Sequence, residues 1–203
     1  MSACVISHSA LAFVGVGSNI RPAENIVRAL EFLTKTPEVT LTGISTFYRT
    51  AALPDPADST APPDQGLLNL DPDFLNGVLE IRTTLMPVEL LSLLTNTERA
   101  LGRQRPSNRY ASRTMDLDLL LFGRKEEERH PPVWEKIGPS GYQAHSDIER
   151  RPWVAHPLLE LAPDLILPHH GMPLRALAAS FDTPGGQPET DFTNTLRSSF
   201  LSP

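Results

Sequence analysis

Asp116 and Asp118 stand two residues apart in the run Arg113-Thr114-Met115-Asp116-Leu117-Asp118-Leu119-Leu120-Leu121-Phe122. The apolar residues around them predict a β-strand over Met115–Phe122. Side chains alternate along a strand. Met115, Leu117, Leu119 and Leu121 are therefore expected on one face and the two aspartates on the other, with Cα atoms roughly 6.5–7 Å apart. Two carboxylates on one face of a core strand repel each other and are costly to desolvate. A hard divalent cation removes that cost. Mg²⁺ takes one or two carboxylates and completes its shell with water and substrate phosphate. Asp116 and Asp118 are thus the candidate metal ligands.

Arg99, Arg103, Arg105, Arg109 and Arg113 lie just ahead of that strand. A helix end accounts for Arg99 and Arg103, since cations complement the C-terminal dipole. Arg105, Arg109 and Arg113 fall in the loop that leads into the strand, where the planar guanidinium suits phosphate oxygens. Carboxylates next to an arginine loop point to phosphoryl or nucleotidyl transfer. The chain has no Gly-x-x-x-x-Gly-Lys-Ser/Thr run, so a P-loop is excluded. Phe74 and Asn76 share one side of another predicted strand. An aromatic face beside an amide suits a flat heterocycle with donors and acceptors on its edge, and Trp153 is a candidate second face. His156, His169 and His170 are not spaced as a metal set, and Lys125 to Arg129 reads as solvated surface.

These residues need a scaffold. Ala12 to Gly17 is an apolar run closed by Ser18-Asn19, which predicts a buried strand. Pro22 suits a first helical turn, and Ile26, Ala29, Leu30 and Leu33 follow at helical spacing. Val39–Thr50 and Phe74–Thr84 read as strands, and Pro87–Leu101 as a helix stopped by Gly102. With the aspartate strand, the order is βαββαβ, an α+β ferredoxin-like core. Arg151–Leu161 and Leu174–Ala179 predict extra C-terminal helices. Two long connections, 54–72 and 124–144, would border the site. A single domain over 11–180 is expected, with a loose arm at 1–10 and a frayed polar tail at 181–203.

Composition narrows the class. The chain has 203 residues and a net charge of −6, which disfavours a general nucleic-acid binder. Its 20 prolines are roughly twice average usage and predict long irregular connections. One cysteine, Cys4, permits no internal disulfide. No signal peptide and no run long enough to span a bilayer is read, so a cytoplasmic protein is expected.

The chain resembles the 6-hydroxymethyl-7,8-dihydropterin pyrophosphokinases from about Ala12 to Pro173. The likeness rests on Gly15-Val16-Gly17-Ser18-Asn19, Ser45-Thr46-Phe47-Tyr48-Arg49-Thr50, Phe74-Leu75-Asn76, Gly102-Arg103-Gln104-Arg105, Arg113 to Gly123, and Trp153 to Asp164. The resemblance implies that Asp116 and Asp118 bind two Mg²⁺ ions bridging ATP phosphates and the pterin hydroxyl. It implies a pterin sandwich between Phe74 and Trp153, with Asn76 on the pterin edge and Thr50, Ala51 and Leu53 meeting it mainly through backbone. Arg103 and Arg113 match arginines that act on the phosphates during transfer. Glu98, Arg105, His145 and Arg151 match further ATP-site positions. The departures are Ala144 for the usual proline before His145, Ser146 for an aromatic after it, and Ala51-Ala52 for residues that are often proline. ATP is then the co-substrate of a monomeric enzyme. Two other classes fit parts of the pattern. One is a Mg-dependent nucleotidyltransferase of other substrate, which would lack the Phe74, Asn76 and Trp153 set. The other is a non-catalytic ferredoxin-like binding module such as an RNA-recognition sheet, for which the basic surface and aromatic strands are missing.

Overall fold

The computed structural model describes residues 9–52, 73–103, 113–124, 132–138 and 141–201. Strands β1 (Ala10–Ser18), β2 (Val39–Ile44), β3 (Tyr48–Thr50), β4 (Phe74–Thr83), β5 (Asp116–Arg124), β6 (Val133–Trp134) and β7 (Gln187–Pro188) form one antiparallel sheet. The strand order is β6-β5-β1-β4-β3-β7, with β2 also on β4. Helices α1 (Pro22–Thr34) and α2 (Pro87–Ala100) are the two crossovers of the expected ferredoxin-like core. Four further helices follow: α3 (Asp147–Arg150), α4 (Pro152–Leu161), α5 (Leu174–Ala178) and α6 (Thr190–Phe200).

The sheet is buried on both faces, which explains why its strands read as nearly continuous apolar runs. Ala12, Val14 and Val16 of β1 pack with Ile26, Leu30 and Leu33 of α1 and with Leu90 and Leu94 of α2. Phe13 of β1 and Val78 of β4 pack on the opposite side with Ile148, Ala155, Leu158 and Leu174 from α3, α4 and α5. The second layer covers only part of its face. The uncovered part is where the site lies.

Three expectations change. The segment expected as one strand from Val39 to Thr50 is two, because Ser45 to Phe47 leave the ladder. Ser45 still donates its N–H to Val78 O at 3.0 Å, but its Oγ takes the Val78 N–H at 2.8 Å, and the next two N–H groups turn away from the sheet: Thr46 N donates to Glu160 Oε2 at 2.8 Å and Phe47 N to Thr193 Oγ1 at 2.9 Å. Strict alternation in β5 also fails. The register slips between Phe13 and Val14, leaving Leu120 as an extra residue, so Leu121 joins Leu120 in the second core while Leu119 stays in the first. The frayed tail at 181–203 and the boundary at 180 are corrected as well. Residues Gln187–Pro188 pair with β3, and α6 buries Thr193 and Leu196 to 1 % exposure each. The segment is polar because α6 is amphipathic, with one narrow face inward. Residues 1–8 of the arm, the whole connection 54–72, and residues 125–131 and 139–140 of the second connection lie outside the described residues. The rest of that second connection carries β6 and a bridge between Ile137 and Tyr142.

Candidate active site

Cross-strand register brings the chemistry together. Gly17 of β1 lies between Asp116 on β5 and Asn76 on β4, and Asn76 in turn faces Tyr48 on β3. One residue pair further along, Gly15 lies between Asp118 and Val78. The two glycines keep the floor of the sheet low. A Cβ on Gly17 would come within 2.8 Å of Asn76 Oδ1, and one on Gly15 within 3.3 Å of Leu120 Cδ2. Above this floor is a cavity of about 430 Å³, within the usual range of small-molecule sites. Thr50, Ala51, Phe74, Asn76, Arg103, Arg113, Asp116, Asp118, His145, Arg151 and Trp153 all line it.

Asp116 is gripped by two arginines. Arg103 Nη1 donates to its Oδ1 at 2.6 Å, and Arg113 Nη1 donates to Oδ2. Arg103 also donates to Glu98, whose Oε1 accepts from Leu117 N at 2.8 Å. Glu98 is 3 % exposed and lies beneath the cavity, outside its lining. Its role here is to hold Arg103 and the start of β5. Burial raises its pKa, against the lowering effect of the Leu117 N–H and of Arg103. Burial works against the charge of Arg103, but Asp116 and Glu98 outweigh it and raise its pKa. The loop after β1 fixes the approach to the strand. Ser18 Oγ donates to Thr114 O at 2.7 Å, and Asn19 Oδ1 accepts from Arg113 N at 2.6 Å.

Asp118 is different. Burial pushes its carboxyl up to about 7, and the negative charges of Asp116, Asp147 and Glu98 add to the rise, with Arg103 opposing. A carboxyl held this reluctant to ionise, in a cavity rich in acids, is a place where added positive charge is favourable. Among the described residues no three acidic, His or Cys side chains stand close enough to hold an ion by themselves. The donor set therefore fits a hard cation that takes two carboxylates and relies on water and phosphate for the rest.

The other wall is aromatic and amide. Asn76 Nδ2 donates to Thr50 Oγ1 at 2.8 Å, and Thr50 is buried. Trp153 opens α4, with the Arg151 guanidinium 5.5 Å from its ring centroid. His145 is carried by the strand bulge: its N–H donates to Leu120 O at 2.9 Å, and its ring meets Tyr142 edge-on at 5.6 Å. Leu53 and Arg105, expected at the site, lie outside the described residues. Three lining groups escaped the sequence reading: Asp147, Arg150 and the glycine floor. Asp147 sits in a polar run with no pattern of its own, and Gly15 and Gly17 appear in the sequence only as part of an apolar strand run.

Two carboxylates flanked by arginines on the open face of a ferredoxin-like sheet suit an enzyme that transfers a phosphate-containing group. Residues 13–163 match the family model described as 7,8-dihydro-6-hydroxymethylpterin-pyrophosphokinase (HPPK). A 2-amino-4-hydroxy-6-hydroxymethyldihydropteridine pyrophosphokinase of Pseudomonas aeruginosa is 36% identical over 157 residues, 77% of this chain and 83% of the relative. The Haemophilus influenzae protein of that name is 34% identical over 159 residues, 78% and 85% respectively. A crystal structure of an HPPK-DHPS in complex with substrates shares the fold at TM-score 0.53 and 11% identity, covering 96% of this chain and 46% of that one. The chain belongs to the HPPK family. It is an ATP-dependent pyrophosphokinase of folate biosynthesis, moving pyrophosphate from ATP to the hydroxymethyl group of 6-hydroxymethyl-7,8-dihydropterin.

Proposed function

We propose that Asp116 and Asp118 hold Mg²⁺, two ions in all, and that the cavity seats ATP and the pterin on opposite sides of that pair. The observation that carries this reading is the row Asp116–Gly17–Asn76, which sets the carboxylate wall and the amide wall on one sheet floor. The pterin ring lies between Phe74 and Trp153, its edge read by Asn76 and by the Thr50-Ala51 backbone, with Leu53 continuing that segment. The phosphates meet Arg103, Arg113, His145 and Arg151, with Arg105 on the same side and Glu98 acting through Arg103.

Bound magnesium supplies charge neutralisation and alignment of the two substrates. The protein does the rest by placement. The pterin hydroxymethyl oxygen attacks the β-phosphorus of ATP, the bond from that phosphorus to the α,β-bridging oxygen breaks, and AMP leaves. Arg103 and Arg113 meet the charge that grows on the bridging oxygen. Both now pair with Asp116; with a cation held by the two aspartates, both would be available to phosphate. The enzyme works as a cytoplasmic monomer on small molecules, without nucleic acid or membrane. A net charge of −6 disfavours a phosphate backbone as partner, and among the described residues no helix is long and apolar enough to cross a membrane.

The test is direct. Incubation with Mg-ATP and hydroxymethyldihydropterin yields AMP, and Trp153→Ala raises the KM for the pterin far more than that for ATP, since stacking on a ring is worth ~1–3 kcal/mol per base in nucleic-acid sites. Equal shifts in both KM values would remove the sandwich.

A further inference from the structure

Residues 181–201 lie beyond the stretch that matches the family model, which ends at 163. Yet they reach the pterin side of the cavity. Gly185 has φ +81°, and a Cβ there would fall 2.8 Å from Pro152 Cγ and 3.0 Å from Trp153 Cε3. At Gly186 a Cβ would fall 2.4 Å from Arg49 O and 2.8 Å from Thr50 Cγ2. The backbone therefore passes between the edge strand that carries Thr50 and the helix start that carries Trp153, with no room for side chains. The passage is fastened on its C-terminal side. Arg49 pairs with Gln187 and Tyr48 with Pro188 in β7. Arg49 Nε donates to Glu189 Oε1 at 2.6 Å, and Glu189 N donates to Phe47 O at 2.8 Å. Helix α6 then anchors the segment: Thr193 Oγ1 accepts from Phe47 N, and Arg197 Nε donates to Ile44 O at 2.8 Å.

We propose that Gly185–Glu189 is a strap that sets the spacing between the Thr50-Ala51 wall and Trp153, and so positions the pterin without touching the phosphates. Gly185, Gly186, Arg49 and Glu189 are positioning residues. The strap rests on the reading that the pterin lies against Trp153. A methyl group on Gly186 has nowhere to go, because its nearest neighbour is backbone. It must push the strap off β3 and toward α4, while Asp116, Asp118, Arg103 and Arg113 stand on β5 and near the α2 end, away from the strap; Arg151, at the start of α4, is the phosphate-side group beside it.

The experiment compares KM and kcat for both substrates in Gly186→Ala, Arg49→Glu and the charge-swapped double variant Arg49→Glu/Glu189→Arg. Gly186→Ala and Arg49→Glu are expected to raise the pterin KM by about 10-fold, with the ATP KM within about 2-fold and kcat within about 3-fold of the parent. The swapped pair is expected to recover most of the loss. If Gly186→Ala does not fold, the Arg49 and Glu189 variants, which alter only a surface ion pair, carry the comparison alone. Shifts of pterin and ATP KM together, or no rescue by the swap, overturn the strap. Trp153→Ala separates the two ideas. If it is not selective for the pterin, the underlying pterin reading falls. If it is selective and the strap variants are not, only the strap falls.

Discussion

Asp118 is surrounded by acids it cannot escape, and its behaviour follows from that company. Losing either Asp116 or Asp118 removes a key electrostatic group, so Asp116→Asn and Asp118→Asn are each expected to lower turnover by about 100-fold or more. Wild-type rates in both would end the metal assignment. Asp118 also sets a pH dependence. Its folded-state pKa of about 7 lies above the ordinary value, so its stabilising contribution is full below about pH 4 and fades as pH rises toward 7. Asparagine cannot ionise. In chelator, the melting temperature of Asp118→Asn relative to the parent is expected to climb between about pH 4 and pH 7 and to level off above that. A flat difference would show that Asp118 ionises freely. The acid pair proposed to hold the metal was legible from two acids at spacing two among leucines. Asp147 was not, because it approaches Asp118 only through the fold.

At the scale of elements, the site depends on how β5 is held. Glu98 on the last turn of α2 ties that helix to Leu117 N and to Arg103. Glu98→Ala leaves a partly buried guanidinium and a buried N–H without this partner. The expected cost is about 3 kcal/mol in urea unfolding, the scale of breaking a buried ion pair, with a fall in kcat because Arg103 loses its brace. A cost near zero would mean that the brace is dispensable. The strands and the two crossover helices were readable from apolar periodicity. The break at Ser45–Phe47 and the bulge at Leu120 were not. Both depend on partners distant in sequence: Glu160 and Thr193 for the first, Phe13 and Val14 for the second. The bulge is not incidental, since the Leu120 carbonyl receives the N–H that places His145.

On the scale of the molecule, one sheet separates two cores, and α6 closes the first. Leu196 is 1 % exposed there. Leu196→Ala is expected to cost about 2–5 kcal/mol, as for other buried leucines, and thermal denaturation will report it. A change below about 0.5 kcal/mol, the usual scale of surface substitutions, would mean that α6 is loosely attached. Ligand linkage offers a second check. A non-hydrolysable ATP analogue at about 100 times its Kd should stabilise the protein by about 2.7 kcal/mol with magnesium present. Without magnesium the stabilisation is expected to be far smaller, because Arg103 and Arg113 then stay committed to Asp116 and the triphosphate meets the acids without a cation. Equal shifts with and without the ion would count against a bridging cation.

Local physics within the chain determined the element types, their order, and the residues able to bind a cation, a phosphate or a flat ring. Periodicity and side-chain chemistry are properties of neighbours in sequence, so they can be read there. Tertiary structure alone decided that Gly15 and Gly17 are a floor, that Glu98 braces from below, and that a polar C-terminal stretch becomes a helix and a strap against the site. Those outcomes depend on desolvation and close contact between segments far apart in the chain, and no local pattern carries that information.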